Sequence, residues 1–236
     1  MAFEIPQDEE KYQYVQSRFS AIAAKYDLFN DLITQGMHRY WKNCVRDAAE
    51  LTQGDQALDI CCGTGDITMR LREKTGDTGL TVGLDFSHGM LDTAQTRGLQ
   101  EGCLLVQGDA TKLPFANESF DAVTVGYGLR NLVDINAGLN EVYRILKPGG
   151  RFISLDMGKV KNPLIKGIFD FYFFQIVPRI GKALYPNESM FDYFPQSAVE
   201  YPSQEKLKEM LEVVGFAKVD FTNFHFGGVV MHVARK

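Results

Sequence analysis

A chain of 236 residues with 45% apolar side chains has enough material for one sizeable core, and a single α/β domain with an insertion is expected rather than two domains. Its 25 basic and 30 acidic side chains leave a net charge of −5, which argues against a nucleic-acid partner. The 4 cysteines, Cys44, Cys61, Cys62 and Cys103, form no CxxC pair and have no histidine repeat nearby, so no metal site is expected and a reducing cytoplasmic setting fits.

The opening Met1 to Glu10 is acidic and has neither a basic start nor an apolar signal core. No apolar run reaches the roughly 20 residues that cross a bilayer. Tyr12 to Leu51 reads as helical, with a break around Asn30 to Gly36. Gly54-Asp55 is a turn signal, and the first strand follows over Gln56 to Cys61. Strand-like runs recur at Leu80 to Asp85, Cys103 to Gln107, Ala122 to Gly126 and Phe152 to Asp156, with helical patterns between most of them. The clearest helix runs from Asp134, a candidate N-cap, through Ile135, Leu139, Val142 and Leu146 to the stop Lys147-Pro148-Gly149-Gly150. Strands alternating with helices imply a parallel sheet covered on both faces. Lys161 to Pro202 breaks the rhythm with an aromatic, proline-punctuated insertion. Ser203 then caps a helix ended by Gly215, and Val219 to Phe224 and Val229 to Ala234 form a closing antiparallel pair.

The chemistry is concentrated in Leu58-Asp59-Ile60-Cys61-Cys62-Gly63-Thr64-Gly65-Asp66, a strand that runs through a turn of small residues into a helix. The next strand ends in Asp85, placed to grip neighbouring ribose hydroxyls. A dinucleotide fingerprint needs a third glycine, but that position holds Thr68, or Asp66 one register earlier. Asp66 would also put a negative charge where a pyrophosphate should lie. S-adenosylmethionine has no phosphate and carries a positive sulfonium, so an acid there is tolerable, whereas a nicotinamide dehydrogenase is disfavoured. The adjacent Cys61 and Cys62 read as packing residues rather than a redox pair.

The chain resembles class I S-adenosylmethionine-dependent methyltransferases, and more narrowly the family that C-methylates polyprenyl quinols in menaquinone and ubiquinone biosynthesis. The turn and Arg144-Ile145-Leu146-Lys147-Pro148-Gly149-Gly150 are widely shared among methyltransferases. Gly108-Asp109-Ala110 with Leu113-Pro114-Phe115 also matches, and the more specific elements are Tyr26-Asp27-Leu28-Phe29-Asn30-Asp31, Gly36-Met37-His38-Arg39-Tyr40-Trp41-Lys42 and Gly128-Leu129-Arg130-Asn131. There are two departures. Cys61 stands where many methyltransferases have glycine, which matters only if that position needs a positive φ. Asp109 stands where the family often has asparagine.

The resemblance implies a Rossmann-like, seven-stranded, mostly parallel sheet with its last strand antiparallel, in one domain. Residues 1–53 would be a helical lid, 54–160 the cofactor core, 161–202 a substrate-side insertion and 203–236 the closing helix and strand pair. It implies S-adenosylmethionine as cofactor. The turn residues Asp59, Gly63, Thr64 and Gly65 would line its methionine end, Asp85 would hold the ribose, Asp109 and Ala110 would frame the adenine, and Gly126 would lie beside the pocket. The implied reaction is methylation of a ring carbon of a polyprenyl quinol, demethylmenaquinol to menaquinol, with the benzoquinol precursor of ubiquinone left open. Arg130 is the candidate to stabilise the acceptor phenolate, with Asn131 orienting, Tyr26 closing the pocket and His38 a candidate base. Asp27 and Asn30 are expected to pin their segment, while His88, His225 and His232 are expected to have no catalytic role. The insertion reads as a channel or membrane-facing lid for an isoprenoid tail, or as a homodimer surface or core. The competing functions are a methyltransferase for another small or lipid acceptor, and a non-catalytic methyltransferase-like scaffold.

Overall fold

The chain is seen in a computed structural model that describes residues 5–186 and 188–236, with Asp8 and Gln100 described by backbone alone. Met1 to Glu4, part of the acidic start, lies outside the described residues. Three helices come first: α1 (Asp8–Ile22), α2 (Tyr26–Thr34) and α3 (Met37–Ala48). The break at Gln35 and Gly36 falls inside the expected window, and both residues take left-handed backbone angles. A further break, a 3-10 turn over Ala23–Lys25, has no glycine or proline to announce it.

Alternation then sets in: β1 (Gln56–Ile60), α4 (Asp66–Thr75), β2 (Leu80–Asp85), α5 (His88–Thr96), β3 (Leu104–Gln107), β4 (Phe120–Gly126), α6 (Ile135–Ile145) and β5 (Leu146–Met157). Asp134 caps α6 by accepting from the Ala137 amide at 3.0 Å. The helix stops at Ile145, as the Lys-Pro-Gly-Gly run requires, but that run joins the strand instead of separating it from the helix. Leu146 pairs with Phe120 and Arg151 with Ala122, so residues 147–150 bulge out of register, with Gly149 at φ +80. The insertion folds as α7 (Pro163–Phe171), a π-helical turn (Tyr172–Ile176), α8 (Val177–Leu184) and α9 (Met190–Glu200). Then come α10 (Gln204–Val214), β6 (Lys218–Phe224) and β7 (Val229–Arg235).

The seven strands form one sheet in the order β3-β2-β1-β4-β5-β7-β6. Pairings among β1 to β5 are parallel, and β7 runs antiparallel to both β5 and β6. Central strands buried on both faces are apolar almost throughout, as Ala57, Leu58, Ile60, Val123 and Val125 show. One core cluster packs α6 and α10 on the sheet, a second packs α3 and α4 on the opposite side, and a third joins α1 and α2 to the insertion helices above the strand ends.

Candidate active site

β1 and β4 are neighbours, yet the chain leaves β1 toward β2 and leaves β4 toward β5, on opposite sides. Loops that part in this way open a crevice at the carboxyl ends of the strands. The resulting cleft is lined by Asp59, Gly63, Thr64, Asp85, Asp109 and Ala110, with Gly126, Tyr26 and Asn131 also on its wall. Of the turn residues expected there, Gly65 alone is not in the lining. A Cβ on it would fall 2.0 Å from Leu99 Cδ2, so this glycine serves close packing behind the turn.

The turn is held from the next strand. Asp85 accepts from the amides of Gly63 at 2.8 Å and Ser87 at 2.9 Å. Burial pushes its carboxyl up to about 6, against the pull of these backbone donors. Asp59 accepts from the hydroxyls of Thr68 at 2.7 Å and Thr124 at 2.8 Å, and burial pushes it up to about 7. Asp59 therefore braces the strand end from within. Cys61 sits at φ +52, so the departure from glycine does fall at a left-handed position. Burial, reinforced by Asp85, pushes the Cys61 and Cys62 thiols well up, which leaves neither as a reactive thiolate.

The N-terminal helices are tied to this turn by the residues of the specific elements. Asp27 accepts from Thr64 Oγ1 at 2.9 Å and from Arg97 Nη1 at 2.8 Å. Lys42, itself buried, donates to Asp66 at 2.8 Å. Burial would raise the Asp66 carboxyl, but Lys42 and Arg70 outweigh it and hold the group below the usual range. The start of α4 is thus already occupied by a neutralised carboxylate, which suits a phosphate-free ligand. Asp31 binds both Arg39 and His38, which hold it down at about 2. α1 closes the cleft from above. Tyr12 meets Phe86 edge-on at 5.3 Å, Gln16 donates to the Phe86 carbonyl at 2.8 Å, and both aromatic rings line the cleft. Sequence reasoning missed both. Phe86 could have been flagged as the residue after Asp85, the acid that ends β2, whereas Tyr12 carries no local signal.

Beside the cleft lies an apolar cavity of about 550 Å³, lined among others by His38, Arg130, Phe169 and Phe173. Tyr26 and Tyr127 line both spaces. On the cavity wall, Arg130 Nη1 donates to Asp156 Oδ1 at 2.6 Å and to the Tyr127 carbonyl at 2.9 Å. Both side chains of this ion pair are only 1% exposed, and the guanidinium lies 5.0 Å from the Phe194 ring centroid. Asp156, at the tail of β5, is a residue the sequence did not single out. Asn131 donates to the Tyr127 carbonyl at 3.2 Å and accepts from Tyr193 at 3.1 Å, which fixes its amide at the edge of the cleft.

His38 is brought to the cavity. Its Nε2 meets Asp31 at 2.8 Å, while its buried Nδ1 has no partner among the described residues. Burial, then Lys42, lowers its pKa, so the ring is neutral near pH 7. His88 is exposed beside Asp92, and His232 is bonded to the Gln204 carbonyl, both apart from the two spaces. His225 lines the cavity beside Trp41, in the turn between β6 and β7, a placement its position in the sequence did not suggest.

A sheet of this order, with a cleft at its switch point and a carboxylate at the end of β2 on its wall, defines a class I S-adenosylmethionine-dependent methyltransferase. The solved structure of a possible histamine N-methyltransferase from Thermotoga maritima shares the fold, with a TM-score of 0.64, 20% identity and coverage of 94% of this chain and 99% of that one. Residues 7–236 match the model of the ubiE/COQ5 methyltransferase family, and the chain belongs to that family. It is 47% identical to a demethylmenaquinone methyltransferase of Leptospira interrogans, over 99% of this chain and 97% of that protein. It is 38% identical to the ubiquinone/menaquinone biosynthesis C-methyltransferase UbiE of Methylococcus capsulatus, over 95% and 92%.

Proposed function

We propose that the protein transfers the methyl group of S-adenosylmethionine to a ring carbon of a polyprenyl quinol, converting demethylmenaquinol to menaquinol. The observation that carries this is the junction of the two spaces: a polar cleft and a large apolar cavity meet at Tyr26 and Tyr127, with one buried guanidinium on the cavity wall. S-adenosylmethionine supplies an electrophilic methyl group on a sulfonium. Asp85 holds its ribose, Asp109 and Ala110 its adenine, and the turn from Asp59 to Gly65 shapes its methionine end. Residues 1–53 act as the lid and 161–202 as the substrate-side wall.

A quinol ring carbon is nucleophilic when its hydroxyl ionises, and a free phenol has a pKa of about 10. Arg130, always charged, stabilises the phenolate. Asn131 and Tyr26 orient the ring, and the neutral His38 imidazole takes the proton that leaves the ring carbon after methyl transfer. The test is transfer of labelled methyl to matched demethylnaphthoquinol and demethylated benzoquinol acceptors under reducing conditions. The naphthoquinol should turn over faster, and the oxidised quinones should be inert because they have no hydroxyl to ionise. Equal turnover of quinone would sink the phenolate mechanism, and transfer to neither quinol would sink the assignment.

The long tail calls for a lipid surface. Among the described residues no helix is long and apolar enough to cross a membrane. Leu164, Ile168 and Phe171 share one face of α7, exposed at 77%, 69% and 63%, on the helix that also lines the cavity through Ile165 and Phe169. We read this face as a peripheral contact with the cytoplasmic side of the membrane. Co-flotation with vesicles, lost on Ile168→Asp, supports that reading, whereas a dimer that dissociates on the same change assigns the face to a second copy.

A further inference from the structure

A cavity of about 550 Å³ holds one drug-sized ligand, so a polyprenyl chain attached to a bicyclic ring has to leave it. The lining shows where. His38, Trp41, Arg130, Phe173 and Val229 are buried, and the Arg130–Asp156 ion pair belongs to this closed end. Met37, Ile168 and Phe226 line the same cavity, yet they are 44%, 69% and 73% exposed. Side chains that line a cavity and face solvent at once stand at its mouth. They come from three elements far apart in the chain: Met37 opens α3, Ile168 lies on α7, and Phe226 is in the turn between β6 and β7.

Phe226 is held there at a cost. His225, Phe226 and Gly227 take φ of +47, +58 and +93, and the Gly228 amide closes the turn on the His225 carbonyl at 3.1 Å. Left-handed positions in hairpin turns are ordinarily filled by asparagine, aspartate or glycine. Glycines do follow, at Gly227 and Gly228, yet the two left-handed positions before them hold His225 and Phe226. A bulky residue at positive φ is strained, and a ring left in water does not offset that strain by burial. Backbone strain that folding does not explain, at a position facing a cavity, points to a role in binding.

We propose that Met37, Ile168 and Phe226 form the portal through which the isoprenoid chain of the acceptor leaves the cavity, and that this rim sets the preference of the enzyme for chain length. The inference rests on the quinol reading above and adds the route of the chain, which that reading leaves open. The two ends of the cavity decide the occupant and its direction. Apart from Arg130, no Asp, Glu, Lys or Arg lines the cavity among the described residues. The closed end therefore suits a ring hydroxyl beside Arg130, and the mouth suits an uncharged hydrocarbon chain: the ring lies inward and the chain outward. Ile168 belongs both to the rim and to the exposed α7 face with Leu164 and Phe171, so a chain that crosses the rim runs onto apolar surface. Contacts at a mouth act only on the part of a chain that reaches it, so the rim matters for long chains and not for short ones.

Methyl transfer to demethylnaphthoquinols carrying one, two or four prenyl units, in detergent solution without vesicles, tests this. Phe226→Gly removes the ring and relieves the positive φ, while Met37→Gln keeps length and helix propensity but makes the rim polar. In the unmodified protein kcat/KM should rise with chain length. In each variant the ratio of kcat/KM for the four-unit over the one-unit acceptor should fall about 10-fold, mainly through KM. Phe226→Leu, which keeps an apolar side chain, should return most of that ratio. A loss equal at every chain length overturns the portal, because the rim would then act on the ring or on the fold, and so does an unchanged ratio. A ratio that falls only when vesicles are added also overturns it and assigns the rim to the membrane contact. Should the variants not fold, photoreactive groups placed along the chain decide on the unmodified protein. Labelling of Met37, Ile168 or Phe226 supports the portal, and labelling that avoids all three overturns it. Absence of methyl transfer at every chain length by the unmodified protein would instead be a failure of the quinol reading, and the portal would fall with it.

Discussion

The cleft and the apolar cavity share Tyr26 and Tyr127 as a common wall, yet they are built by opposite means. The cleft is made by strand ends and tight turns, and its wall carboxylate Asp85 is fixed by the backbone amides of Gly63 and Ser87. The cavity is made by α2, α3, the insertion helices and the turn between β6 and β7, and a buried ion pair, Arg130–Asp156, fixes charge on its wall. The glycine turn that recurs across methyltransferases sits in the first region, and the specific N-terminal elements tie the second to it through Asp27–Thr64 and Lys42–Asp66. Binding of donor and binding of acceptor should therefore fail separately.

The sharpest separation, and the largest effect, is expected from Arg130→Met. It leaves Asp156 buried without its counter-ion and should cost about 3–5 kcal/mol in stability. Turnover should be lost while calorimetry finds S-adenosylmethionine affinity unchanged. Adding Asp156→Leu should return most of the stability and none of the turnover. If the single variant also loses cofactor affinity, the two regions are not independent.

On the cleft side, Asp59→Asn probes a buried carboxyl through its pH dependence. Its folded pKa, about 7, lies above the ordinary 3.8. The folded state therefore favours the protonated form. Stability from this group is fully present below about pH 4 and is lost as pH rises to 7, by at most about 1.4 kcal/mol per unit. Asparagine does not titrate, so the ligand-free variant should gain on the unmodified protein from pH 4 to 7 and then hold a constant lead. Melting curves across that range check the sign, and a lead that shrinks with rising pH would refute it.

Gly65→Ala acts behind the turn. The glycine sits at φ +80, and the added Cβ would meet the Leu99 side chain, whose tip can shift. A loss of about 2 kcal/mol is expected, shared between stability and cofactor affinity. Acceptor KM should be unmoved, which would be the converse of the Arg130 result.

What the sequence made legible follows the same division. Asp85, Asp134, Ser203 and the glycine turn act on neighbours within a few residues, or at the fixed offset between successive parallel strands, so local pattern exposes them. Asp156 reads as nothing more than the tail of an apolar strand, because its partner Arg130 lies 26 residues away in the turn after β4. Tyr12 and His225 become wall residues only when α1 folds over the strand ends and the last hairpin meets Trp41. The 3-10 break at Ala23–Lys25 is set by the docking of α1 and α2 against the insertion, as the Lys25 amide donating to the Tyr185 hydroxyl at 2.7 Å attests, and not by a breaker residue. His38 was legible as a histidine in a specific element, but whether it faces Asp31, the cavity or both depends on how α3 packs.

Cys61 gives the smallest effect and the finest test of that division. Its φ of +52 means that the position does take the left-handed backbone that glycine tolerates best. Replacing it by glycine removes strain from the folded state but frees the unfolded chain, and the two terms nearly cancel. Cys61→Gly should shift stability by less than about 1 kcal/mol and leave S-adenosylmethionine affinity within about twofold. Cys61→Val, branched at Cβ and bulkier beside Gly128, where Cys61 Cβ already lies 2.4 Å from the site of an added Cβ, should cost about 2 kcal/mol. Equal stability of the two variants, by denaturant titration, would mean that the turn relaxes to accommodate either side chain. The cleft would then be no more rigid than the cavity beside it.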